Sequence, residues 1–248
     1  MTVAQNIFDD PAFFDGYKKL RSNPDSANNL EEKPALFMLS PCLKNKSVLD
    51  LGCGFGENCF KFQKRGARKV VGLDVSEKMM EVARDENPDT VFIQMDMNDL
   101  SLLHDSYDVI FSSLAVHYIK DLNQFAASVY RLLNDNGYFI FSQEHPLTTA
   151  PITGAYWEKD EVGNILHYRL TDYMRNGERK VRWIIDNVIK YHRPFSEILN
   201  TFIANNFTVE RTVEPIPSEE TIKRLPDYEK DLHKPNFLLI KMKKTSAE

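Results

Sequence analysis

The chain has 248 residues, 42% of them hydrophobic, which suffices for one large domain with a sizeable core and excludes wholesale disorder. Its formal net charge of −5 excludes a global basic field for nucleic acid or an anionic membrane surface. No apolar run approaches the roughly 20 residues of a membrane span, and three cysteines, Cys42, Cys53 and Cys59, fit neither a disulfide framework nor a zinc knuckle.

The first residues, MTVAQNIFDD, have neither the charged nor the apolar region of a signal peptide, so a cytoplasmic location is expected. Residues 8–45 read as helical pieces broken by Pro24, Pro34 and Pro41, with Phe8, Phe13, Phe14 and Tyr17 in front. Residues 1–45 are expected to form a helical cover. A rhythm follows. SVLDLG (47–52) is a short apolar strand, and ENCFKFQKRG (57–66) is a helix closed by Gly66. KVVGLDV (69–75) is a strand; SEKMMEVARDEN (76–87) is a helix capped by Ser76 and stopped before Pro88. TVFIQMDM (90–97) and YDVIFSSLAV (107–116) are strands. LNQFAASVYRLLNDNG (122–137) is an amphipathic helix ending at Gly137, and YFIFSQEH (138–145) is a fifth strand. Strands that alternate with helices and read as continuous apolar runs predict a mostly parallel sheet covered on both faces. The basic stretch KFQKRGARK (61–69) reads as a solvated helix end.

The rhythm breaks at Pro146. Up to Arg193 two long strands around Asn176-Gly177 are expected, because Asn-Gly is a strong hairpin signal. Residues 146–193 therefore read as an inserted lid within a single domain. FSEILNTFIANN is then a helix, and FTVERTVEP and NFLLIKMKK are closing strands.

The chemistry is concentrated at VLDLGCGFGENC, residues 48–59. Three glycines, Gly52, Gly54 and Gly56, follow the first strand. Glycine permits a positive φ and a close approach of backbone to ligand, and the next helix offers free N–H groups. The spacing is G-x-G-x-G, and Glu57 stands where a dinucleotide fingerprint has its third glycine. Asp50 precedes the loop; its carboxylate repels a pyrophosphate and suits a ligand with a positive amino group. Asp74 ends the second strand, where a carboxylate can accept hydrogen bonds from both ribose hydroxyls. Asp96 ends the third and is followed by Met97, a pair suited to an exocyclic amine and a base face.

VLDLGCGFGEN, VVGLDVSEKMM, FIQMDM and YDVIFSSLAVHYIKDL resemble the successive cofactor motifs of class I S-adenosylmethionine-dependent methyltransferases, in particular the small-molecule group of the ubiquinone and biotin pathways. The resemblance covers residues 47–122 and implies a seven-stranded Rossmann-like sheet. It implies that Asp50, Gly52, Cys53 and Gly54 line the methionine end of S-adenosylmethionine, with Ser112 and Ser113 beside the sulfonium. Asp74 would then hold the ribose, Val75 and Met79 would flank the adenine, Asp96 would meet its amine and Met97 would lie on the ring. Tyr17, with Arg21 nearby, would cover the cofactor.

For proton transfer the candidates are His117 and Tyr118, after the fourth strand, and Glu144 and His145, at the end of the fifth. His117 reads equally as a base or as a wall residue, and His145, before Pro146, also suits a structural turn. Arg193 in YHRP suits a substrate anion or a surface ion pair. No metal site is expected, since adjacent Glu144 and His145 point to opposite faces of a strand. Tyr156, Trp157, Tyr168, Tyr173 and Trp183 form either a substrate pocket or the insertion's own core. The expected activity is methyl transfer to the O, N or C of a small molecule, with neither nucleic acid nor membrane as partner. The competing readings are an NAD-dependent oxidoreductase and a non-catalytic S-adenosylmethionine-binding protein.

Overall fold

The structure, a computed structural model, describes residues 6–153 and 156–245. The strands are β1 (Ser47–Leu51), β2 (Lys69–Asp74), β3 (Val91–Gln94), β4 (Tyr107–Ser112), β5 (Leu133–Glu144), β6 (Tyr156–Lys159), β7 (Ile165–Arg169), β8 (Gly177–Trp183), β9 (Ile185–His192), β10 (Phe207–Val213) and β11 (Phe237–Lys244). The α-helices are α1 (Pro11–Ser22), α2 (Lys33–Leu39), α3 (Glu57–Lys64), α4 (Glu77–Glu86), α5 (Leu122–Leu132), α6 (Pro146–Thr149), α7 (Phe195–Ala204) and α8 (Glu219–Arg224). Seven strands form one sheet in the order β10-β11-β5-β4-β1-β2-β3. β1 to β5 pair in parallel, while β11 runs antiparallel to both β5 and β10. This is the mostly parallel Rossmann-like sheet expected.

Alternation along the buried strands divides the core into two layers. Leu49, Leu51, Leu73, Ile110 and Phe139 pack with Phe125 and Val129 of α5 and Phe202 of α7. Val48, Val70, Val109 and Phe111 pack with Leu36 of α2 and Cys59 and Phe62 of α3. Asp50 has the parity of Val48, so its side chain goes to the second layer. The helices follow local signals: Ser76 Oγ accepts from Met79 N at 3.1 Å to start α4, and Asp121 accepts from Gln124 N at 2.9 Å to start α5.

Four local expectations are corrected. α5 ends at Leu132, not Gly137, because Leu133 already pairs with Tyr107 of β4. Gly137 serves close packing instead: a Cβ there would sit 2.8 Å from Asn134 O and 3.0 Å from Asp108 O. Asn176-Gly177 opens β8 and turns no hairpin. The insertion is two hairpins, β6 with β7 and β8 with β9, and the apex of the second is Ile184, at φ 62°. Its turn hides inside the apolar run VRWIID because a tertiary contact sets it: Ile184 Cγ2 lies where a Cβ on Gly16 of α1 would fall, 2.6 Å away. Pro34 interrupts nothing, since it lies in the first turn of α2 and Asn28–Glu32 runs into that helix. β3 ends at Gln94, so Asp96 instead caps the 3-10 helix Met97–Leu102.

The Asn28–Glu32 segment buries a titratable cluster against the chain near β11. Burial and the neighbouring Asp231 push the Glu31 carboxyl up to about 7, against the pull of Lys234 and Asn236. The folded chain thus holds a proton that the unfolded chain releases above its ordinary value of 4.5. Stability from this group is complete below pH 4.5 and is lost as pH rises to about 7. Glu31→Gln, which mimics the protonated form, should gain melting temperature relative to wild type progressively across that window, with no gain at pH 4.5. Melting curves from pH 4.5 to 8 test this; a difference independent of pH would refute it.

Candidate active site

The chain runs outward through β1, β2 and β3, then crosses back to β4 on the other side of β1. A ligand crevice is expected outside the carboxyl ends of the strands at such a reversal. A cavity of about 1550 Å³ opens there, continuous from Gly52, Gly54 and Asp74 past Met97 and His117 to Trp183, Tyr191 and Arg193 of the insertion.

At one end the glycine loop is pulled against β2, with Gly52 N and Cys53 N both donating to Leu73 O. Gly52 and Gly54 have φ of 70° and 54°, and both line the cavity. A Cβ on Gly52 would meet Ala115 Cβ at 2.6 Å, so there the glycine admits a neighbouring loop. A Cβ on Gly54 would have only Met79 Sδ within 4 Å, at 3.8 Å, so there it keeps the cavity open. Asp74 is buried beside the loop, its Oδ2 accepting from Gly54 N at 2.8 Å and its Oδ1 from Ser76 N at 3.0 Å. Burial pushes its carboxyl up, and these backbone donors oppose the shift. Val75, Met79, Asp96 and Met97 line the same end.

Not every expected cofactor residue reaches the wall. Cys53 and Ser112 stand behind it, Ser112 donating to Leu51 O at 2.9 Å. Asp50 is fully buried in the α2–α3 layer, where its Oδ2 accepts from Cys59 Sγ at 3.6 Å and its Oδ1 has no partner among the described residues. Burial pushes this carboxyl up to about 7.

α1 lies across the loop. Tyr17 stacks on Phe13 (centroids 5.8 Å apart) and packs between Phe55 of the loop and Trp183 of the β8–β9 hairpin, 6.0 and 5.8 Å away. Asp9 fixes this cover by accepting from Ser76 Oγ at 2.6 Å and Lys78 N at 3.2 Å. Arg21 lines the cavity and donates to Asn28 and Glu57. The buried Glu32 carboxylate accepts from both Ser113 and Ser142 beneath the ends of β4 and β5. Glu32 escaped the sequence reading because its partners lie 81 and 110 residues away.

At the other end stand His117, Tyr118 and Glu144. His117 Nδ1 accepts from Glu144 N at 3.4 Å, so the neutral ring carries its proton on Nε2. Burial lowers its pKa to about 4, despite Glu144 nearby. Near neutral pH His117 is therefore a donor. Burial would raise the Glu144 carboxyl, but Lys190 Nζ at 2.6 Å outweighs it and holds the group below its usual range. Lys190 itself was not anticipated; β9 brings it from the insertion, with its ammonium 4.8 Å from the Trp183 ring. His145 lies off the cavity wall: Nδ1 accepts from Leu147 N at 3.1 Å to cap α6, and Nε2 meets Glu214 at 2.8 Å. Arg193 donates through one nitrogen to Ile119 O and Lys120 O, both at 2.7 Å. Of the insertion's aromatics, Trp183 and Tyr191 line the cavity, while Trp157 packs on Tyr168 at 5.0 Å and Tyr173 accepts from Phe195 N at 3.0 Å. The Tyr156 side chain lies outside the described residues. No cluster of three or more metal-ligating residues and no helix long and apolar enough to cross a membrane occurs among the described residues.

Comparisons with known proteins agree with this geometry. Residues 49–141 match the model of a methyltransferase domain family. An uncharacterized protein of Haemophilus influenzae is 38% identical over 96% of this chain and 97% of its own. The crystal structure of an S-adenosylmethionine-dependent methyltransferase from Mesorhizobium loti is similar at 35% identity and a TM-score of 0.80, covering 88% of this chain and 98% of that one. A putative S-adenosylmethionine-dependent methyltransferase from Listeria monocytogenes is similar at 36% identity and a TM-score of 0.79, covering 86% and 96%. The residues present fit this cofactor: the open face of Gly54 leaves room beside the loop, and the unpartnered Asp50 oxygen leaves acceptor capacity behind it. The chain belongs to the S-adenosylmethionine-dependent methyltransferases, with S-adenosylmethionine as its cofactor.

Proposed function

We propose that the protein methylates a small-molecule acceptor by in-line displacement within this cavity. The observation that carries the reading is the continuity of one cavity from the glycine loop and Asp74 to His117 and Glu144. S-adenosylmethionine, when bound, supplies a methyl group already activated on a sulfonium. The chain's own work is to hold, align and exclude water. In this reading Gly52 and Gly54 border the methionine portion, with Arg21 offering its remaining donors to the carboxylate. Asp74 takes the ribose hydroxyls. Val75 and Met79 flank the adenine, Asp96 accepts from its amine, and Met97 lies on the ring. Asp50, Cys53 and Ser112 act from behind, as buried polar groups that support the loop. Tyr17 and Trp183 close the aromatic cover, and such rings suit a cation. His117 donates from Nε2 to the acceptor and takes no proton.

Calorimetry and thermal shift test the reading. S-adenosylmethionine and S-adenosylhomocysteine should each bind and raise the melting temperature, while NAD should do neither. Stabilisation by NAD alone would favour the oxidoreductase reading, and cofactor binding without methyl transfer to any acceptor would favour a binding protein.

A further inference from the structure

We propose that the acceptor atom is an amine nitrogen. The inference rests on the methyltransferase reading and deepens it. It follows from what surrounds the acceptor end of the cavity. His117 is a neutral donor whose Nδ1 is occupied by Glu144 N–H. Beside His117 on the wall stands Glu144, a carboxylate at the end of β5. Its Oε1 takes Lys190 at 2.6 Å, and its Oε2 takes no hydrogen bond among the described residues, on a side chain that is 23% exposed. The ion pair keeps Glu144 a carboxylate, and a paired carboxylate is a weak base.

Each class of nucleophile meets this arrangement differently. An alcohol or a thiol has to lose its proton as it attacks, which calls for a base with a pKa near the working pH. Neither the donor His117 nor the ion-paired Glu144 is one. A carboxylate acceptor needs no base but places its negative charge against Glu144. The cation beside Glu144, Lys190, is committed to it, and Arg193 gives one of its nitrogens to the carbonyls of Ile119 and Lys120. A neutral amine needs no base before attack. Its N–H can donate to Glu144 Oε2, which points its lone pair away from the carboxylate.

The charge also moves the right way. The amine leaves its extra proton in water on entry. Its lone pair forms the N–C bond while the methyl–sulfur bond breaks, and that electron pair stays on sulfur. Positive charge thus passes from sulfur to nitrogen, and Glu144 is the fixed negative group at the nitrogen's end. The methylated ammonium loses its proton to water after release. Tyr118, Trp183 and Tyr191 supply aromatic faces for a group that becomes cationic.

The test uses the full chain, tritiated S-adenosylmethionine and four acceptors on one skeleton: 2-phenylethylamine, 2-phenylethanol, 2-phenylethanethiol and 3-phenylpropionic acid. In parallel, calorimetry measures their binding to the S-adenosylhomocysteine complex. The amine should be methylated at least tenfold faster than the others and bind more tightly than the alcohol. Glu144→Gln should remove that binding preference. The double variant Glu144→Gln with Lys190→Met does the same without stranding a buried ammonium, and covers the case where the single variant misfolds. Preferential methylation of the alcohol, thiol or acid, no transfer to the amine, or an amine preference indifferent to both variants overturns the proposal. Failure of S-adenosylhomocysteine to bind would instead overturn the cofactor site itself, so the two failures are distinguishable.

Discussion

Gly54→Asn should lose most of its affinity for S-adenosylmethionine while keeping its fold. Gly54 has φ 54°, a conformation that asparagine tolerates better than other side chains. The backbone can therefore stay in place. The new side chain emerges where the nearest heavy atom is Met79 Sδ at 3.8 Å, into space that belongs to the cavity. It meets the ligand and spares the protein. If crowding the ligand costs about 1–3 kcal/mol, as overpacking does in cores, the dissociation constant rises roughly five- to a hundred-and-fifty-fold. Gly52→Asn is the matched contrast. Its Cβ would fall 2.6 Å from Ala115 Cβ, so this substitution should lower the melting temperature as well as affinity. Calorimetry with S-adenosylhomocysteine, alongside thermal melts of both variants, reads the difference. Gly54→Asn binding as tightly as wild type would remove the loop from the cofactor site; a collapse of its melting temperature would mean that the space above Gly54 is structural.

The parts of this molecule that could be read from sequence are those encoded within a few residues. The strand–loop–helix around Gly52 to Gly56 and the Ser76 cap are local, and each was recognisable from its own residues. Parity was harder. β1 is buried on both faces, so its apolar run does not say which layer receives Asp50, and only the packing of Val48 against α2 and α3 does. Alternation did separate Glu144 from His145, yet which of them faces the cavity depends on where β11 and Glu214 lie. What could not be read arrives from far along the chain. Ile184 turns a hairpin without a turn residue because α1 supplies Gly16 beneath it. Lys190 reaches Glu144 across 46 residues and holds its carboxyl below the usual range. His117 Nδ1 likewise takes one backbone N–H from β5, which puts the neutral ring's proton on Nε2. The glycine-loop end of the cavity is therefore local in origin, whereas the end around His117 and Glu144 is assembled by tertiary contacts.

Asp74→Ala should weaken S-adenosylhomocysteine binding by about 1.5–3 kcal/mol, the scale of hydrogen bonds to a charged group, or roughly ten- to a hundred-and-fifty-fold. Two effects contribute, and they separate experimentally. Asp74 holds the loop through Gly54 N and Ser76 N, so removing it strands two backbone donors and should lower stability. In the proposed complex it also accepts from the ribose hydroxyls. The first effect acts on any ligand of the loop, but the second needs the hydroxyls to be present. Wild type should therefore prefer S-adenosylhomocysteine over its 2′-deoxy analogue, and Asp74→Ala should bind the two nearly alike. Asp74→Asn keeps an acceptor oxygen and should fall between them. A variant that binds weakly but still discriminates against the deoxy analogue would assign Asp74 to the loop alone, and undiminished affinity would remove it from the cofactor site.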